Sequence, residues 1–239
     1  MKTKKFWVFR NQAEEGQEGR VLELYGTIAA ESWFDDDVTP KMFHDELFAE
    51  TGPVTIWINS PGGDCVAASQ IYSMLIDYPG TVTVKIDGVA ASAASVIAMA
   101  GTEVLMAPTA LMMIHNPATV AAGDHNDMKM AIKMLDEVKQ SIINAYSIRT
   151  GLSDEELSRM MEAQTWMNAR KAIALGFADG MLEDGKHSAV DMAAFSYAQK
   201  TTDEALMKKL VAKYSKPKTN TGREISALLE KLNSKEVSE

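Results

Sequence analysis

The chain has almost no cysteine. Cys65 stands alone among 239 residues, so an internal disulfide framework is excluded, and a reducing cytoplasm is the compartment that fits. Long apolar runs are missing as well. No stretch reaches the roughly 20 residues that a helical membrane span needs. The basic start, residues 1–10, holds an apolar run of four residues, too short for a signal peptide. A positive balance is missing too: 24 Lys and Arg face 33 Asp and Glu, a net charge of −9, which argues against nucleic acid as a main partner. The balance is uneven. Residues 1–185 carry 14 basic and 26 acidic side chains, whereas residues 186–239 carry 10 and 7. Three segments follow: an N-terminal extension over 1–19, one domain over 20–185, and a C-terminal tail over 186–239 with a short amphipathic helix built on Ile225, Leu228, Leu229 and Leu232. There is no internal repeat and no low-complexity tract.

What is present is a sizeable apolar fraction, 46%, arranged in alternating and helical patterns. Residues 21–28 and 54–59 read as strands, the second with Val54, Ile56 and Ile58 on one face. Between them Thr39 caps a helix that Pro40 opens and Gly52-Pro53 ends. A helix near 66–76 and a strand over 81–86 follow. Gly88 is expected to turn the chain into a small-residue helix over 91–100. Residues 103–107 and 110–115 add two strands. Strands alternating with helices predict βαβ units and an α/β class. A long amphipathic helix over 124–149 carries Met128, Ile132, Leu135, Val138 and Ile142 at steps of three and four. Asp124 caps it, and Ser153 to Glu156 form a capping box for the next helix. Asn168 caps one more, ending at Gly176.

Three segments carry chemistry. Gly88-Val89-Ala90-Ala91-Ser92 sets a serine at a strand-to-helix turn. Met113-Ile114-His115-Asn116-Pro117 ends a strand on a histidine. Ile58-Asn59-Ser60-Pro61-Gly62-Gly63 offers backbone N–H groups bare of side chains. A serine hydroxyl needs a base during attack, and imidazole titrates in the useful range. Ser92 is the expected nucleophile and His115 its base, with Gly62 and Ala93 turning N–H groups toward a substrate oxygen. Ser95 lies one turn deeper, where a hydroxyl more often bonds a backbone carbonyl. The chain after Gly63 (Gly63, Asp64) and after His115 (Pro117, Ala118) is expected to pair with a peptide as an added strand. No metal and no cofactor is called for.

In this order, the three segments resemble the Clp protease proteolytic-subunit family, and within it the ClpP-related head maturation (prohead) proteases of tailed bacteriophages. Tyr25-Gly26-Thr27-Ile28, the run from Trp33 to Pro40, Gln164-Thr165-Trp166-Met167-Asn168-Ala169, Ala172 and the run from Leu175 to Asp179 fit the phage branch. The resemblance spans roughly residues 20–182. It implies a ClpP/crotonase-like superhelix of ββα units, with helix 124–149 as a protruding handle between stacked rings. It also implies a serine endopeptidase acting through an acyl-enzyme, a homo-oligomeric ring, and polypeptide substrates such as phage scaffold or capsid precursor. The setting would be the host cytoplasm or the prohead. A degradative chamber fed by a Clp-type ATPase is the alternative.

One position departs from the pattern. The family's third triad member is acidic, and here the matching residue is Gln164. An amide can accept the imidazole N–H but does not stabilise imidazolium as a carboxylate does. Three readings stay open: a slow Ser–His dyad oriented by Gln164, a substitute carboxylate from Glu162 or Asp127, or a non-catalytic assembly protein.

Overall fold

The alternating runs become strands of one eight-stranded sheet in the computed structural model, which describes residues 5–11, 20–29 and 39–182. Strand β1 (Trp7–Asn11) pairs antiparallel with β2 (Arg20–Tyr25). Strands β3 (Val54–Ser60), β4 (Val82–Ala91) and β5 (Glu103–Met106) continue the sheet in parallel. Helix α1 (Pro40–Leu47) joins β2 to β3, and α2 (Cys65–Asp77) joins β3 to β4. These are βαβ units, so the α/β class expected from the sequence is the class observed. The caps are where the sequence reading has them: Thr39 Oγ1 accepts from Met42 N–H at 3.3 Å, beside Pro40 at the first helical turn. Leu22, Ile56, Ile58, Val84, Ile86, Val104 and Met106 are wholly buried at the centre. Each such side chain contributes about 1.5–3 kcal/mol by leaving water.

The stretch before residue 20, set apart in the sequence as an extension, supplies a strand. Trp7 is buried against Phe43, and its indole N–H donates to Glu46 at 2.8 Å. The run from Trp33 to Val38 and the tail helix of 225–232 lie outside the described residues.

The decisive feature is the length of β4. Thr83–Ile86 pair with β5, and then Val89–Ala91 pair with β6 (Leu111–Ile114). One strand edge thus serves two partners in succession. Between the two halves the register against β3 jumps, from Ile58 opposite Ile86 to Ser60 opposite Ala90. This bulge is what Gly88 permits, and it corrects the expectation of a turn there. A Cβ on Gly88 would lie 2.5 Å from Asn59 Oδ1, and that amide oxygen accepts the Val89 N–H at 3.3 Å. The strand therefore runs on to Ala91. Helix α3 (Ala93–Ala98) starts later and is shorter than its alanine-rich sequence suggests.

Helix α4 (His125–Thr150) is 26 residues long, about 39 Å at the usual rise. Asp124 and Asp127 close a reciprocal capping box at its start, and Gly151, at φ 71°, ends it. Burial begins only at Ile142; Met130, Ile132 and Met134 are 50–61% exposed. Helix α5 (Asp154–Glu162) is capped by the Ser153 hydroxyl. A short strand β7 (Thr165–Asn168) then pairs antiparallel with β6, followed by α6 (Ala169–Ala174), capped by Asn168, and β8 (Gly180–Met181) beside β5.

Candidate active site

Ser92 sits between β4 and α3 at φ 54°, ψ −125°. That region is disfavoured for any residue with a Cβ, at a cost of about 1–3 kcal/mol, and it persists only where the surroundings over-determine it. Here the Ser92 N–H donates to Met113 O at 2.8 Å, and the Ser95 N–H donates to Ser92 O at 3.0 Å. The outcome is a sharp elbow that leaves the Ser92 hydroxyl half-exposed while its neighbours Ala91 and Ala93 are buried.

His115 follows directly on β6. Because β6 pairs with the far half of β4, Ala91 lies opposite Met113, and the residues just beyond each strand end meet. His115 Nε2 is 2.7 Å from Ser92 Oγ. For that contact to draw the serine proton, Nε2 must be the bare nitrogen and Nδ1 must carry the proton.

Gly62 abuts this pair. A Cβ placed on it would stand 2.7 Å from Ser92 Cβ and 3.0 Å from the Ala93 nitrogen, and its φ of 98° suits glycine alone. Gly62 and Ala93 therefore flank the nucleophile together. The Gly62 N–H is engaged in a way the sequence does not suggest: it donates to Ser60 Oγ at 3.1 Å, in a bond closed off from solvent. A substrate oxygen at this N–H shares it with Ser60 or displaces it.

Gly63 is pressed against the loop after β2. A Cβ there would fall 2.2 Å from Ile28 O, and the two residues form a parallel bridge. Ile28 N–H donates to Gly62 O at 2.9 Å and Asp64 N–H to Ile28 O at 3.1 Å. The Asp64 carboxylate caps α2 through Ala67 N–H at 2.8 Å. The Asp64 C=O accepts Ala68 N–H at 3.1 Å, so its N–H, C=O and carboxylate are all bonded within the fold. Pro117 is half-buried and Ala118 exposed, in a segment without regular structure next to His115.

Gln164 occupies a second strained elbow, φ 49°, between α5 and β7, with its N–H donating to Met161 O at 3.1 Å. Thr165 is paired with Ile114, so Gln164 and His115 each adjoin the last pair of the β6–β7 ladder. The two other carboxylates weighed from the sequence are occupied. Glu162 accepts from Lys139 Nζ at 3.0 Å and from Ser158 Oγ at 3.1 Å, contacts that hold its carboxyl below the usual range. Asp127 accepts the Asp124 N–H at 2.8 Å.

Sequence reasoning misses Ser60, whose hydroxyl has no periodic signal, and it misses β7, four residues being too few to show a period. Ser95 behaves as expected of a hydroxyl inside a helix, donating to Ser92 O at 2.6 Å. Cys65 is packed against the core, and burial pushes its thiol up to about 11.

Fold and sequence relatives together define a hydrolase of the peptidase class. The chain belongs to the Clp protease family, whose model matches residues 17–185. Over 146 residues it is 30% identical to the ATP-dependent Clp protease proteolytic subunit 1 of Chlamydia muridarum (strain MoPn / Nigg), covering 59% of this chain and 76% of that one. It is 29% identical over 179 residues to the subunit 1 of Chlamydia abortus (strain DSM 27085 / S26/3), covering 72% and 93%. It is 30% identical over 158 residues to the ATP-dependent Clp protease proteolytic subunit of Porphyromonas gingivalis (strain ATCC BAA-308 / W83), covering 63% and 71%. Among the described residues no helix is long and apolar enough to cross a membrane.

Proposed function

We propose that this chain is a serine endopeptidase with Ser92 as nucleophile and His115 as general base. The observation that carries the reading is the 2.7 Å contact between Ser92 Oγ and His115 Nε2 at a strained elbow. Ser92 Oγ attacks the peptide carbonyl carbon while His115 Nε2 takes its proton. The carbonyl oxygen becomes an oxyanion held by the N–H groups of Gly62 and Ala93. Collapse expels the amine, which leaves with the proton from His115, and an acyl-enzyme remains. Water then gives a proton to His115 and attacks the ester; the acid departs and Ser92 regains its hydrogen. Gly63 on one side and Pro117 with Ala118 on the other flank the peptide as an added strand.

Gln164 orients the imidazole through its side-chain carbonyl in this reading. The pairing of its neighbour Thr165 with Ile114, the residue before His115, supports that role, as does the commitment of Glu162 and Asp127 elsewhere. An amide leaves the imidazolium less stabilised than a carboxylate would, so the enzyme is slow.

The substrate is polypeptide. The motifs of the phage branch favour scaffold or capsid precursor during prohead maturation in the host cytoplasm. The relatives' printed names favour a second reading, a chamber fed by a Clp-type ATPase. ATP-stimulated cleavage of a folded protein after addition of such an unfoldase selects the second. Both readings have a homo-oligomeric ring, for which the bare apolar side chains on the outer part of α4 are the supporting observation. The test of the chemistry is labelling of the full chain by a fluorophosphonate probe, with Ser92→Ala as control. Labelling of the native chain and none of the variant is the expected result. Equal labelling of both overturns the assignment.

A further inference from the structure

Tyr146 lies at the base of α4, fully enclosed, with its ring edge-on to Phe177. Its phenol oxygen is 2.8 Å from Ser95 Oγ, itself wholly buried on α3. Ser95 Oγ is in turn 2.6 Å from Ser92 O. Proton counting fixes the direction. A carbonyl oxygen only accepts, so the single Ser95 hydroxyl proton goes to Ser92 O. Tyr146 is then the donor to Ser95, and burial, which raises its phenol above the usual tyrosine range, keeps that proton in place.

The Ser92 carbonyl shares one rigid peptide plane with the Ala93 N–H, and in a trans peptide the two point in opposite directions. Anchoring the oxygen on one side therefore aims the hydrogen on the other. We propose that Tyr146 is a positioning residue: through Ser95 it locks the Ser92–Ala93 peptide plane and so aims the Ala93 N–H at the substrate oxygen. The proposal rests on the reading of Ser92 as nucleophile. Without the hydroxyl bond only the Ser95 N–H, 3.0 Å away, still holds the Ser92 oxygen, and the plane is freer to rock about Ser92 ψ and Ala93 φ, which misaims the donor while leaving the fold standing.

The experiment measures the fluorophosphonate labelling rate of the full chain across pH, together with its thermal melt, for Tyr146→Phe, Ser95→Ala and the double variant. Tyr146→Phe is expected to label about tenfold more slowly and Ser95→Ala about a hundredfold, within the range that loss of an oxyanion donor spans. The double variant should match Ser95→Ala within about twofold, because the bonds act in series. The pH midpoint should not move, since His115 is untouched. Wild-type labelling rates per folded molecule in Tyr146→Phe and Ser95→Ala, even with a lowered melt, overturn the proposal. If Tyr146→Phe yields no folded protein, Ser95→Ala, which keeps the aromatic volume, decides alone. Failure of the underlying reading looks different: Ser92→Ala would then label like the native chain.

Discussion

The two halves of β4 are built from different material for different ends. The first half, Val82 to Ile86, alternates buried and half-buried positions and packs its branched side chains into the main core. The second half, Val89 to Ala91, is small and closely hemmed. Val89 and Ala91 form a separate buried cluster with Met113, while Ala90 faces the main core. The first half supplies stability through apolar area. The second supplies position: its partner β6 leads straight into His115, and its own end leads into Ser92. A bulge at Gly88 separates the two and lets one strand do both without compromise to either.

That contrast can be broken at its strongest point first. Ser92→Ala should abolish peptide cleavage, a loss on the order of 10⁶-fold, with the thermal midpoint unchanged within about two degrees. Cleavage by the purified variant at the native rate would remove the chemical role of the second half altogether. Next comes the position where the family pattern has an acid. Gln164→Glu should raise the turnover by about tenfold or more, bounded by the roughly 10⁴-fold that separates acid from amide in a serine protease triad. An unchanged or lower rate would mean that position 164 does not face the imidazole.

The scaffold half is tested by Ile86→Ala. It should cost about 2–5 kcal/mol of stability in a denaturant titration, while the labelling rate per folded molecule stays within about twofold of native. A matched loss of rate would join the two halves into one unit. The smallest effect belongs to the bulge. Gly88→Ala forces the Asn59 amide aside and breaks its bond to the Val89 N–H, at about 1–3 kcal/mol. A several-fold drop in labelling should accompany it, because the displaced residues lead directly into the elbow. Native behaviour in both assays would mean that Asn59 is not what holds the bulge.

The same contrast explains what the sequence does and does not disclose. Residues 81–86 are legible as a strand because one face meets the core and the other does not, which imposes a period of two. Residues 87–91 carry no such period, since both faces are enclosed and the partner changes, and Gly88 there is as compatible with a turn as with a bulge. Strand β1 is equally silent, being a short apolar run whose meaning lies in pairing with β2. The chemical residues are legible for another reason. Ser92, His115 and Gly62 stand in compact local motifs, and the fold has only to bring three loops together. What braces them leaves no such mark: the Ser60 hydroxyl on Gly62 N–H is local but set by side-chain geometry, and the bond from Tyr146 to Ser95 spans 51 residues. Gln164 is a mixed case, its departure from an acid plain in the sequence and its place next to the last β6–β7 pair visible only through β7.

Helix α4 is, in mechanical terms, a cantilever. Its root is clamped from Ile142 onward, with Arg149 reaching Gly101 O at 3.0 Å and pairing with Asp179. Its outer turns, from His125 to about Met134, overhang the described protein. Any load applied at the tip is transmitted as torque to the root, reaching first the surface ties of Lys139 to Glu162 and Gln140 to Asp154 and then, inside the clamp, the buried Tyr146 phenol.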